Sequence, residues 1–290
     1  MAYHVAAHAV GDPVASPRRF ADAAATVHDV RMLLKYGRGN VAADSEPSRG
    51  HNGIGSSVAE SGHDTWSQLA MATQMGAGVC DQHAGLTLVH HAHRMRDGDV
   101  VSRTGGRVTL ATYADGGDVV DVQSGHSWGE LRVEGRRDPE STAVLDGWSN
   151  GPVVRLKDSA WAGVVPNADL PLDKSQAVQQ ATRYETLVPL VHPDEDDYVA
   201  GRLLRKRREP TVWPRHLEAQ VVSQAFAQRA RDALADMSAS DQRSLAASMA
   251  ARTYGLSESQ ASSPRTVDAV LHEARSLDRQ SRPPIEPPQD

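Results

Sequence analysis

Along the chain the spacing of apolar and polar positions changes twice. From Phe20 to Tyr36 apolar side chains recur at helical intervals (Phe20, Ala23, Ala24, Val27, Val30, Met32, Leu33, Leu34), which predicts one helix in a leader otherwise rich in Ala, Ser, Gly, Pro and Arg. The Gly/Ser-punctuated stretch 49–62 reads as loop. A helix then runs from Asp64-Thr65 through Trp66, Leu69, Ala70 and Met75 to a stop at Gly76-Ala77-Gly78. Another follows over 80–96, where Ala84, Leu88, Ala92 and Met95 recur every three or four residues while His83, Thr87, His90, His91 and Arg94 crowd another side.

Strand grammar takes over in the middle of the chain. The segments 107–113, 118–123, 126–133 and 142–146 are short, rich in β-branched residues and separated by Gly, Asp, Ser and Pro clusters. Helix formers return from Lys174, most clearly over 217–237, 242–254 and 267–277, before a proline-rich end at 282–290. These patterns predict an α+β fold in which a helix packs on an antiparallel sheet, with a helical C-terminal region. The expected organisation is a leader over 1–60, largely disordered with one short helix; a core over 61–173; the helical region over 174–280; and a disordered tail over 281–290.

Composition narrows the function classes. With 31 Lys and Arg against 37 Asp and Glu the net charge is −6, which argues against a general grip on nucleic acid. Hydrophobic residues make up 39% of the chain, enough for an ordinary core. Neither a spanning apolar run nor a secretory signal is visible, and Ala2 stands where N-myristoylation needs glycine. The single cysteine excludes an internal disulfide, so a reducing, cytoplasmic setting is the default.

Three local patterns carry candidate chemistry. In Gly78-Val79-Cys80-Asp81-Gln82-His83 a glycine-led turn places Cys80 at a helix N-terminus, where unpaired N–H groups and the helix dipole favour a thiolate nucleophile. In Ser124-Gly125-His126-Ser127-Trp128 a histidine stands at the first residue of a strand, where it can serve as the base and acid a thiol needs. In Ala143-Val144-Leu145-Asp146-Gly147-Trp148 an apolar strand ends on an aspartate that can orient the imidazole. If the last two strands form a hairpin, pairs sum to about 275, and His126 with Asp146 sums to 272, within a bulge of being opposite. Each pattern has a plainer reading: a small buried cysteine, an ordinary histidine among thirteen, and a turn-forming Asp-Gly.

Cysteine on a helix, then histidine and aspartate on successive strands, resembles the transglutaminase-like branch of the papain-like cysteine enzymes. The likeness covers roughly residues 60 to 165. Within that branch it is similar to the AvrPphE/HopX group of plant-pathogen type III effectors, which share the triad and an Ala/Ser/Arg-rich leader. The resemblance implies a cysteine-dependent amide hydrolase or acyl transferase (protease, deamidase or transglutaminase) with Cys80 as nucleophile, His126 as base and acid, and Asp146 as orienter. It implies no cofactor, a protein substrate such as a host protein, and secretion through a type III system into host cells. The chain departs from some such effectors in lacking the myristoylation signal. Gln68, Gln74, Asn52 and the Trp66 indole are candidate second oxyanion donors. The same three side chains serve arylamine acetyl transfer from coenzyme A, but that family's arginine-glycine lead into the cysteine is missing. An alternative from another class is a non-catalytic interaction protein using the same fold as a scaffold.

Other features read as structural. His83, His90, His91 and His93 lack metal-site spacing and read as a solvated helix face, although His83, one turn after Cys80, is a rival base. The acidic run 194–197 and the basic residues 202–208 read as an exposed charge-patterned linker. The pairs Gly105-Gly106 and Gly116-Gly117 read as turns, with no phosphate-loop lysine after them.

Overall fold

The computed structural model describes residues 1–114, 117–208, 215–280, 282–285 and 287. It is an α+β protein built on one antiparallel sheet. The N-terminal part contributes α1 (Ala2–Ala9), α2 (Pro17–Leu33), the short strand β1 (Gly37–Arg38), α3 (Ala42–Ser45), α4 (His51–Glu60), α5 (Thr65–Met75), β2 (Ala77–Gly78) and α6 (Cys80–His91). The sheet strands β3 (Asp99–Tyr113), β4 (Val119–Val133), β5 (Ala143–Leu145), β6 (Val154–Arg155) and β7 (Pro166–Asp173) follow. The chain then forms α7 (Lys174–Leu187), α8 (Glu195–Arg208), β8 (Arg215–His216), α9 (Gln224–Asp236), α10 (Ala239–Tyr254), α11 (Glu258–Ala261) and α12 (Pro264–Arg275).

In the sheet the order is β6-β5-β4-β3-β7, and β8 pairs with the end of β3. Every ladder in it is antiparallel. The two central strands pair along their whole length, from Asp99↔Val133 to Tyr113↔Val119. His126 is therefore not a first strand residue but lies inside β4. The expected break at Ser124-Gly125 is absent because β3 supplies a partner there, with Arg107 opposite Gly125 and Gly106 opposite His126. Gly105-Gly106 is likewise strand, not turn. Gly116 lies outside the described residues.

α5 ends where its signals say. Asp64 Oδ1 accepts the Ser67 N–H at 2.8 Å as N-cap, and Gly76 closes the helix in the left-handed region at φ 62°. β2 then pairs in parallel with β1, Arg38 beside Gly78, before α6 begins at Cys80. That helix packs on β4 and β3. Close approach is set at Gly129 of β4, where a Cβ would come 3.0 Å from both the Leu145 oxygen and Thr87 Cγ2. Trp128, Trp148, Leu86, Leu131 and Leu145 fill the core beneath.

The segment expected as a largely disordered leader is ordered. Residues 1–60 are largely helical, and Arg49 to Gly62 holds α4 rather than a loop. In α1 the residues Ala2 to Ala7 are all buried, and the helix packs on α9, α10 and α12. First and last segments thus share one core. The acidic and basic run forms α8 against α4 rather than a linker. Part of the expected tail is also placed, since Arg282 reaches Trp148 and His83; Ser281, Glu286 and residues 288–290 lie outside the described residues. No helix among the described residues is long and apolar enough to cross a membrane.

Candidate functional site

Cys80, His126 and Asp146 come together where the N-terminus of α6 meets the β4–β5 edge. The hairpin register sums to 274, with Gly129 opposite Leu145 and Leu131 opposite Ala143, one less than the sequence-based estimate. That one residue decides the geometry. At 275 the side chains of His126 and Asp146 would project from opposite faces, whereas at 274 they are diagonal neighbours on one face. His126 Nε2 lies 2.7 Å from Asp146 Oδ2, with both side chains buried.

Asp146 is fully satisfied. Its Oδ1 accepts the backbone N–H groups of Trp148 and Ser149, each at 2.9 Å, and Oδ2 also accepts the Trp161 indole N–H at 3.1 Å. Burial opposes ionisation of this carboxyl, but His126 and these donors outweigh it and hold its pKa below the ordinary carboxylate range. The His126 ring lies among three tryptophans, its centroid 5.0 Å from Trp148, 4.9 Å from Trp161 and 5.8 Å from Trp128. Burial disfavours charge on this imidazole too. The Asp146 carboxylate and its hydrogen bond, helped by Cys80, overcome it and raise the pKa well above the usual histidine value.

With Nε2 committed to Asp146, Nδ1 is the nitrogen left for the thiol. It is buried and falls short of a well-formed hydrogen bond, but Cys80 lies close enough to favour the charged ring by partial hydrogen bonding as well as by charge. Loose geometry of this kind is common in unliganded sites. Cys80 itself is half-buried at the first residue of α6. No side chain caps that helix at Val79; Gln82 Oε1 reaches back to the Val79 N–H at 2.9 Å. Gly78 is required by space, since a Cβ there would stand 2.9 Å from Gln82 Cβ.

The rival base does not fit. His83 is buried, its Nδ1 donates to the Val79 oxygen at 3.0 Å and its Nε2 accepts from Arg282 at 3.4 Å. Burial first, then the Arg282 charge, keeps it neutral. Nor is the histidine face solvated as expected: His91 is buried against Thr26, and only His93 is well exposed, beside Glu185. Among the described residues no group of three or more His, Cys, Asp and Glu is placed to hold a metal ion.

The candidate oxyanion amides point elsewhere. Gln68 donates to the oxygens of Glu60 and Gly62, Gln74 to that of Val188, and Asn52 to that of Arg38 at 2.8 Å. Trp66 packs, half-buried, against the core.

Sequence patterns did not reveal the arginines behind Asp146. Arg31 donates to the carbonyls of Asp146, Gly147, Ser149 and Gly151. Arg38, paired with Asp44, and Arg282 both reach the Trp148 oxygen. Guanidiniums aimed at carbonyls have no local sequence signature. No family model, curated protein or solved structure matches the chain.

Proposed function

We propose that the chain is a papain-like cysteine enzyme of the transglutaminase-like branch, acting on amide groups of a protein substrate. One observation carries the reading: an imidazole whose Nε2 is bound to Asp146 at 2.7 Å turns its buried Nδ1, which has no other partner, toward the thiol of a helix N-terminus. In the proposed reaction the proton rests on His126 and Cys80 attacks as thiolate. The Sγ–C bond forms as the carbonyl π pair moves to oxygen, and the Cys80 N–H at the uncapped end of α6 donates to that oxyanion. Collapse breaks the C–N bond, His126 gives its proton to the leaving nitrogen, and a thioester remains. Water, or an amine in transfer, then attacks the thioester while His126 takes back a proton, and collapse breaks the C–S bond, so that Cys80 leaves as thiolate and the product acid or amide is freed. The chemistry uses this chain's own side chains throughout. Hydrolysis at a backbone amide is proteolysis, and at a glutamine side chain it is deamidation.

The test is covalent labelling with a thiol-reactive probe together with mass spectrometry of incubated candidate proteins. Native protein is expected to label at Cys80 at neutral pH and to produce a new terminus, a gain of about one mass unit or an amine adduct. Cys80→Ala should abolish all of these with the fold intact. Modification that survives Cys80→Ala would overturn the reading.

A further inference from the structure

The nucleophile and the base stand on different elements, so the reaction depends on what fixes α6 relative to β4. His126 is locked to the sheet by Asp146, itself bound at four donors. Cys80 is locked to α6. The helix touches β4 at Gly129, where Thr87 packs against the strand, but Thr87 lies seven residues, about two turns, from Cys80. The body of α6 is packed by α2, α5, α7, β3 and β4, so what is left to set is where its first turn sits against the His126 segment of β4.

A second point of attachment lies beside the reacting groups. Ser127 Oγ donates to Asp81 Oδ1 at 2.5 Å. Asp81 follows Cys80 and Ser127 follows His126, so this bond joins the immediate neighbours of thiol and imidazole. Resting on the reading of the site given above, we propose that Asp81 and Ser127 form a latch that sets the separation of Cys80 from His126, making both of them positioning residues. The latch is reversible in kind: one hydrogen bond to a carboxylate, at an exposed position, contributes little to global stability and much to where Sγ sits.

Asp81 has a competing role as a first-turn carboxylate favoured by the helix dipole. Ser127→Ala separates the two, because it breaks the bond and leaves the Asp81 charge. The experiment is the pH profile of Cys80 alkylation by iodoacetamide, which needs no substrate, with the thermal midpoint as control. Ser127→Ala should slow alkylation near pH 6 by about tenfold and move the acidic limb toward higher pH, because the thiolate loses its imidazolium partner, with the midpoint within about 2 °C of native. Ser127→Thr, which keeps the hydroxyl, and Asp81→Asn, which keeps an accepting oxygen, should stay within about threefold of native. Asp81→Ala with Ser127→Ala should cost no more than Asp81→Ala alone, since the bond is already gone once the carboxylate is removed. A native profile in Ser127→Ala, with native Cys80 reacting fast, overturns the latch alone. Native Cys80 that reacts no faster than free cysteine overturns the reading of the site and the latch with it.

Discussion

Asp146 meets His126 diagonally across the β4–β5 ladder, Oδ2 to Nε2 at 2.7 Å, while its other oxygen takes the N–H groups of Trp148 and Ser149. A buried carboxylate satisfied at every lone pair costs little to keep charged and cannot turn to another partner. Its remaining influence is on the imidazole. Asp146→Asn preserves shape and the capacity to accept from Trp148 and Ser149, but removes the charge that holds His126 protonated against its burial. Alkylation of Cys80 at pH 6 to 7 should then fall by about a hundredfold, the scale seen when a triad orienter is lost being larger still for turnover. Equal rates in the two proteins would show that Asp146 does not govern the ring.

A second prediction concerns acid stability. His4 is buried in α1, bonded through Nδ1 to Thr253 Oγ1 at 3.0 Å, and burial, then the terminal amine and Arg155, lower its pKa to about 3. The folded value lies beneath the unfolded one of about 6.5, so the unfolded chain takes up the proton first. The stability His4 contributes is complete above about pH 6.5 and is lost as pH falls from there toward about 3, at about 1.4 kcal/mol per unit. His4→Gln keeps a hydrogen-bonding side chain without the titration. Urea unfolding at pH 7, 6, 5 and 4 should show a shallower acid decline in the variant, and an unchanged slope would refute the assignment.

Packing at Gly129 gives a third. A Cβ there meets the Leu145 oxygen and Thr87 Cγ2, each at 3.0 Å, and the first of these is backbone that cannot step aside. Gly129→Ala should force α6 or β5 outward and cost about 1–3 kcal/mol. Thr87→Ser in the same chain removes the methyl on the helix side but not the clash with β5, so rescue should be partial. Thermal melts of the single and double variants decide it.

What the sequence made legible follows from how local each signal is. Asp64 and Gly76 bracket α5 because cap and stop act within one turn, and the placement of Cys80 at the first residue of α6 rests on the same short-range logic. The sequence divides β4 in two because Ser124-Gly125 looks like a turn until β3 is laid beside it. The hairpin register missed by one, and only the ladder fixes that. α1 is hard to read from the sequence because an Ala-rich helix buried from Ala2 through Ala7 shows no clear apolar and polar faces. His83 and His91 read as a solvated face for a related reason: what keeps them neutral is burial, reinforced by Arg282 for the first and by Arg94 and Arg19 for the second, and most of what covers them comes from elements distant in sequence.

The arginines behind the site support the final prediction. Arg31 donates to the carbonyls of Asp146, Gly147, Ser149 and Gly151, from 2.6 Å at Ser149 to 3.4 Å at Gly147. Burial, offset in part by Asp146, brings its pKa down to about 10, so the guanidinium stays charged at neutral pH. It therefore works as a fixed fork that curls the loop after β5, and the curl is what aims the Trp148 and Ser149 N–H groups at Asp146. Arg31→Met keeps much of the bulk and removes every donor. Four buried carbonyls would lose a charged partner, each such loss costing on the order of 1–3 kcal/mol where water cannot replace it. A stability loss of several kcal/mol is expected. Arg31→Lys should recover only part, because one ammonium cannot span the carbonyls a planar fork reaches. Denaturant unfolding of both variants tests this: full recovery by lysine would mean that charge alone, not the fork, holds the loop beneath Asp146.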